Sequence, residues 1–350
     1  HNVSSMRDVR KKKARLTWQP TIDVLEETAQ PTKYIIYISQ GERGYDNGLA
    51  VDAKSTAVDI DLEPGIMYRF RITEVNSGGE SFPSEEVCCY LASEDAPHIL
   101  LVDGFQRVAG PKAFNTENSS GFDMNEEPGV VDRKSPEYCG YQLYFGKDGL
   151  GKENATGHGY SGSELEGMIL AGNTHDWSCV HAQEILKCGQ YNLSSCVASA
   201  CPTVNIQHID IADIIFGAQM MDGYSMKPYK TFTPEVRSLM EQLTQNGKGV
   251  MVSGAHIGTD MPLPEEQQFL KQILKWTSNN SVHAAAGMNI QGMNTSAALY
   301  TEPNEQHYWV RRMDVLKPSA PAFTTMLYGD GEQSCAVAYK GNDYKAISYG

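Results

Sequence analysis

Two kinds of hydrophobic patterning divide this chain. Up to about residue 92, apolar and polar positions alternate in short runs. Leu16 and Trp18 share one face of "ARLTWQP", the run "KYIIYIS" from Lys33 is rich in β-formers, Val58, Ile60 and Leu62 alternate, and so do Tyr68, Phe70 and Ile72. Gly, Asn and Asp cluster between the runs, and short strands at this spacing predict an all-β sandwich over residues 1–92. From residue 99 the pattern changes. Ile99, Leu100, Leu101 and Val102 form an unbroken apolar run that stops at Asp103-Gly104, the signature of a strand buried on both faces of a parallel sheet. Between them lies "ASEDAPH", small, polar and Pro-containing, which predicts a linker at 93–98 between two separable units.

Beyond the linker, helical and strand periods alternate. Ser161 with Glu164 three residues on reads as a capping box before Leu165, Met168 and Ile169. "DWSCVHAQEILKCG" reads as a helix with Asp176 at its N-cap and Gly189 after its end. Strands are expected at "YNLSSCVA" and "IADIIFGAQ". Thr233 and Pro234 open a helix that turns Val236, Leu239, Met240 and Leu243 inward and closes at Gly247. "GVMVSG" is a strand and "EEQQFLKQILKWTS" a helix, and three strands with short turns end the chain. The expected second unit, 99–350, is a doubly wound, three-layer α/β domain with a C-terminal antiparallel hairpin.

Within the first unit, "LEPGIMYRFRITEVNSGGESFPSEEV" sharpens the picture. A Leu-x-Pro turn leads into Tyr68, placed where a tyrosine corner ties its hydroxyl to upstream backbone. With Trp18 as an early core residue, nearly the whole segment resembles a fibronectin type III domain. That resemblance implies a spacer or binding module.

Composition narrows the function. The 350 residues are 41% hydrophobic and 21% charged, with a formal net charge of −14. That charge argues against nucleic acid or an anionic membrane surface as the main partner, and no apolar run reaches the roughly 20 residues of a membrane span. The chain opens at His1 without an initiator Met and ends at Gly350 straight after a strand-like run, as expected of a segment of a longer protein. Eight cysteines contain no C-x-x-C, so zinc-ligand spacing is absent. They read as mostly free buried thiols, with a short Cys196–Cys201 disulfide as the alternative. No G-x-G-x-x-G directly follows the first strand, and there is no Walker A loop and no H-E-x-x-H; no cofactor is expected.

The candidate chemistry sits where open α/β sheets place it, beyond the C-terminal strand ends. This nominates Asp103, and Ser253, His256 and Asp260 in "GVMVSGAHIGTD", a strand that breaks into a turn bracketed by Gly254 and Gly258. His256 is a general base, a ligand contact or a turn-capping residue. His158, Tyr160 and Ser161 close the long Gly-rich segment 104–160 and are expected on a helix N-terminus, which favours anions. Tyr141, Tyr144, Phe145 and Tyr160 are either aromatic platforms or packing of that loop. His181, on a helical pattern, reads as packing or surface.

The Gly254–Gly258 turn also resembles the nucleophile elbow of the class I glutamine-amidotransferase-like fold. That family implies Cys where this chain has His256, and a late His-x-Glu pair that is not found here. The ordered set "ILLVDGF", "SGSELEGMILAGNTHDW" and "VSGAHIGTDM", with the final hairpin, resembles the α/β domain of secreted bacterial proteins labelled xanthan-lyase-like, which carry fibronectin type III modules. This resemblance implies a secreted or cell-envelope location and a glycan context, with an acidic polysaccharide or peptidoglycan fragment as partner. Three readings follow: a glycan- or cell-wall-associated exported protein with a cleft at the strand ends, a polysaccharide lyase or hydrolase using His256 with Asp103 and Asp260, or a spacer for an enzyme domain elsewhere.

Overall fold

The alternating segments at the start form two small antiparallel sheets in the computed structural model, which describes residues 3–8, 10–20, 30–81, 83–105, 112–123, 141–142, 161–162, 176–217, 219–221, 230–285, 287–299, 312–329 and 331–350. One sheet joins β1 (Ser4–Asp8), β2 (Lys13–Thr17) and β5 (Ala57–Asp61). The other joins β4 (Leu49–Asp52), β3 (Lys33–Gln40), β6 (Met67–Asn76) and β8 (Val87–Tyr90), with β7 (Gly79–Glu80) closing a hairpin on β6. The inward residues of both are those of the alternating pattern. Leu16, Trp18, Tyr34, Ile36, Tyr68, Phe70 and Ile72 are buried in one cluster, and the Trp18 and Tyr34 rings meet edge to face at 5.3 Å. The Tyr68 hydroxyl accepts the Glu63 backbone N–H at 3.1 Å, which is the expected corner.

The second half is built on β9 (His98–Asp103), buried along its whole length as its apolar run requires. The pairs β10 (Lys112–Asn115) with β11 (Ser120–Asp123), and β12 (Tyr141–Gln142) with β13 (Ser161–Gly162), stand apart as small ladders. The main sheet adds β14 (Asn192–Val197), β15 (Ile211–Gly217), β16 (Gly249–Gly254) and β25 (Lys345–Tyr349). All neighbouring pairs are parallel, in the order β14-β9-β15-β16-β25. The chain between β16 and β25 supplies β17 (Trp276–Thr277), β18 (Ser281–His283), β19 (Asn289–Gly292), β20 (Thr295–Ala298), β21 (Arg312–Asp314), β22 (Lys317–Pro318), β23 (Phe323–Tyr328) and β24 (Ser334–Lys340). β24 pairs antiparallel with β25 and extends the sheet through β23 and β19 to β20. The final hairpin is thus inserted into the main sheet through its last strand rather than appended to it.

Helices cover both faces. α2 (Pro234–Gln245) and α3 (Pro264–Ile273) pack on the face that carries Leu100, Val102, Ile214 and Val252. Thr233 caps α2 by accepting the Val236 N–H, and Val236, Leu239, Met240 and Leu243 are buried as their spacing predicts. α1 (Trp177–Cys188) packs on the opposite face against Ile99, Leu101 and Leu193. Asp176 occupies its N-cap position without a side-chain capping bond, and Gly189 is extended rather than left-handed. The helix expected to begin at Ser161 is corrected: Ser161 pairs with Gln142 in a strand. Gly159 and Gly162 flank it, and glycine's poor helix propensity favours the extended form there. Glu164, Leu165, Met168 and Ile169 lie outside the described residues.

The strands do not respect the seam. β14 pairs antiparallel with β1, with Ser4 opposite Cys196 and Ser5 opposite Ser195, and with β8 at Leu193–Tyr90. One strand of the second unit therefore joins the free edges of both sandwich sheets. Its polar side chains complete the join. Ser195 Oγ accepts the Cys88 N–H at 2.6 Å and donates to the Cys88 carbonyl at 3.0 Å. Ser194 Oγ accepts the Arg7 N–H at 3.0 Å and lies 2.9 Å from His98 Nε2. Asn192 accepts the Ala92 N–H and donates to the carbonyls of Ser93 and Ala96, so the expected linker is tied down along its length.

Candidate functional site

The C-terminal edge of the parallel sheet gathers most of the nominated residues. Asp103 ends β9, and the register places Val197, Asp103, Ile215, Ser253 and Tyr349 in one row across five strands. Asp103 and Ser253 are two strands apart, about 9–10 Å along the row. Asp103 is 1% exposed. One carboxyl oxygen accepts the Phe105 N–H at 3.0 Å and the other is buried without a partner. Burial pushes its pKa well above the usual carboxylate range, helped by the negative charge of Glu85, against the lowering effect of the Phe105 bond.

The turn after β16 owes its two glycines to packing. A Cβ on Gly254 would lie 2.7 Å from the Phe216 Cβ, and one on Gly258 would lie 2.3 Å from the Ser278 Cβ. Asp314, on β21, anchors the turn by accepting the N–H groups of Gly258 (2.5 Å) and Thr259 (2.9 Å). Burial raises the Asp314 pKa to about 6 against those two bonds. Asp260 accepts the N–H groups of Met221 (3.0 Å) and Thr231 (2.8 Å) and the Thr231 hydroxyl (3.2 Å), and burial raises its pKa too. Its carboxylate holds a neighbouring segment in place. His256 is half-buried in the turn, and its carbonyl accepts the Asp260 N–H at 3.1 Å. Asp103, Ser253 and the His256 turn therefore share one edge of the sheet. Ser161 lies on a separate two-residue strand, and His158, Tyr160, Tyr144 and Phe145 lie outside the described residues, as does the side chain of Tyr141.

One pair escaped the sequence reading. His181 Nδ1 on α1 lies 2.7 Å from Asp213 Oδ2 on β15. The Asp213 side chain is 2% exposed and that of His181 27%, and the second Asp213 oxygen is buried and unpartnered. The signal was present in "IADIIF": a carboxylate inside a buried strand needs a partner. Cys196 and Cys201 are free, buried thiols, and among the described residues no cluster of three or more His, Cys, Asp or Glu is arranged to hold a metal. No described helix is long and apolar enough to cross a membrane.

The paired sheets, the buried Trp18 and the Tyr68 corner coincide with a family match over residues 1–89. Residues 1–89 are a fibronectin type III domain. Solved structures similar to the chain include one described as a myokine structure (22% identity, 26% of this chain, 93% of that chain, TM-score 0.21). Another holds the FN1–FN3 domains of chicken CNTN1 (15%, 26% and 31%, TM-score 0.23). A third is an Fn3-like protein from Clostridium thermocellum (22%, 25% and 83%, TM-score 0.20). No curated protein matches the chain.

Proposed function

We propose that this chain is an exported, glycan- or cell-wall-associated protein, secreted or held in the cell envelope. In this reading the fibronectin type III domain (1–92, with 93–98 as connector) is a rigid arm. The remainder, 99–350, is a doubly wound α/β domain with a ligand crevice at its C-terminal strand ends. The observation that carries the reading is strand order. Numbered by their place in the chain, the parallel strands run 2-1-3-4-5, the flavodoxin-like order, whose ligands bind where the first and third strands, here β9 and β15, diverge. Asp103 ends the first of those strands and Gly217 the third, and Asp103 keeps a buried oxygen unpaired beside that point. The resemblance to xanthan-lyase-like proteins supplies the glycan context, with an acidic polysaccharide or a peptidoglycan fragment as partner. The catalytic alternative, with His256 working beside Asp103 and Asp260, is weakened by the three loop bonds that Asp260 already accepts.

A second reading, a spacer for an enzyme domain elsewhere, draws on the fibronectin type III match and on the shared strand that fixes the arm. Calorimetric titration of acidic polysaccharides and muropeptides, on the unsubstituted chain and on His256→Ala, separates the two. The crevice reading expects saturable binding that His256→Ala weakens while thermal unfolding stays nearly unchanged. Absence of binding to every glycan leaves the spacer, and a large stability loss without a ligand effect makes His256 a turn residue only.

A further inference from the structure

On the face opposite α2 and α3, the parallel sheet is covered unevenly. α1 lies over β8, β9 and β14, where it packs on Cys88, Ile99, Leu101 and Leu193, and it reaches β15 through the His181–Asp213 pair. Further along, β21 and its neighbours lie over β23 and β24, where Met313, Met326 and Cys335 form a separate cluster that Tyr349 joins. Between these walls, Met251, Ser253 and Ile347 form a strip of sheet that is only half-buried. Met251 is the register partner of both Asp213 and Ile347. The Asp213–His181 pair therefore stands along one margin of the strip, and Asp213 also helps burial raise the Tyr349 pKa on the far side.

The chemistry of the pair is directional. A carboxylate only accepts, so the Nδ1–H of a neutral His181 donates to Asp213, and Nε2 keeps a lone pair for a donor from outside. The surrounding charge is one-sided. On this face the sheet and α1 present Asp103 and Asp213, with Asp176 at the start of the helix. The cations of the five parallel strands and α1 lie elsewhere. Lys187 is in the last turn of α1, paired with Glu184 at 2.7 Å, and Lys345 pairs with Gly249 at the opposite end of the sheet from Asp103 and Tyr349. A uronate or phosphate in this strip would meet the Asp213 carboxylate, and among the described residues of these strands and α1 no cation opposes it there.

We infer that this strip is a binding groove for a neutral, hydroxyl-bearing sugar, in which His181 Nε2, oriented by Asp213, accepts a sugar hydroxyl proton and Met251 forms the apolar floor. The inference rests on the glycan reading above and narrows it, away from the acidic polymers implied by family resemblance.

The test uses the whole chain with ¹³C-methyl methionine and ¹⁵N histidine, titrated with the N-acetylglucosamine trimer and, separately, with trigalacturonate. The expected result is that the neutral trimer moves the Met251 methyl and the His181 ring nitrogens while trigalacturonate moves neither. His181→Ala should weaken the trimer about tenfold or more, with His181→Gln in its place should the first fail to fold. Asp213→Asn should shift the imidazole proton towards Nε2 and weaken binding likewise. Equal or tighter binding of trigalacturonate at Met251 overturns the inference and leaves the glycan reading standing, as does sugar binding that leaves Met251 and His181 unmoved. If neither sugar binds anywhere on the chain, both fall together.

Discussion

Replacing Ser195 by Ala tests whether the two halves are one cooperative body. Ser195 is fully buried, and its hydroxyl is at once acceptor and donor to the backbone of Cys88, which is itself buried. Alanine removes both partners and leaves an N–H and a C=O of the sandwich without hydrogen bonds. Each such loss costs about 1–3 kcal/mol, so the substitution should destabilise by about 2–4 kcal/mol after partial relaxation. For one cooperative unit of 350 residues, at about 2.1 cal/mol/K of unfolding entropy per residue, that lowers Tm on the order of 3–5 °C. Urea unfolding followed by far-ultraviolet dichroism and by tryptophan fluorescence should give one coincident transition for both chains, shifted to lower denaturant in the variant. Ser81→Ala, which removes an exposed bond to the Glu74 N–H, should change stability by less than about 0.5 kcal/mol. A loss that small for Ser195→Ala, or two separate transitions with only one displaced, would refute the reasoning and restore two independent units.

Other outcomes follow from the same geometry. Leu101→Ala, at a fully buried position between the sheet and α1, should cost about 2–5 kcal/mol in denaturant titration. Asp314→Ala removes the acceptor of two turn N–H groups and should cost about 2–4 kcal/mol, with the loss of exchange protection largest at Gly258 and Thr259. Burial lowers the His98 pKa to about 3, aided by the nearby positive charge of Arg7. Between that value and the ordinary 6.5 the unfolded chain binds the extra proton, so stability should fall as pH drops through this window, and His98→Gln should reduce the slope by up to one proton.

The sandwich was legible because its pattern is local: the alternation shows within each run, and the Tyr68 hydroxyl reaches back only to the Glu63 N–H across the Leu-x-Pro turn. The parallel core was legible for the same reason, since a strand such as 99–102 announces its burial by composition. What stayed hidden depends on distant partners. "NLSSCV" reads as a strand, yet nothing nearby says that Ser194 and Ser195 serve the backbone of Arg7 and Cys88, although three polar residues in a wholly buried strand were a clue. His181 looked like an ordinary helical residue because Asp213, which gives it a role, lies 32 positions away. The packing of the His256 turn was hidden too: its glycines fit tight packing against Phe216 and Ser278, and its anchor, Asp314, lies 56 residues beyond Gly258.

The strand shared by both halves also imposes an order on synthesis. Residues 1–90 can assemble their own two sheets, but the outer edges of β1 and β8 stay unfilled until residues 192–197 exist. About a hundred residues separate the two, which at ribosomal rates of about 5–20 residues per second is roughly 5–20 s. Throughout that interval the nascent sandwich presents open backbone edges, the kind of template that pairs with other chains. Crowded polysomes are where this protein is most exposed to misassembly, and its yield should respond to elongation speed and to chaperones that hold strand edges more than to the stability of the finished fold.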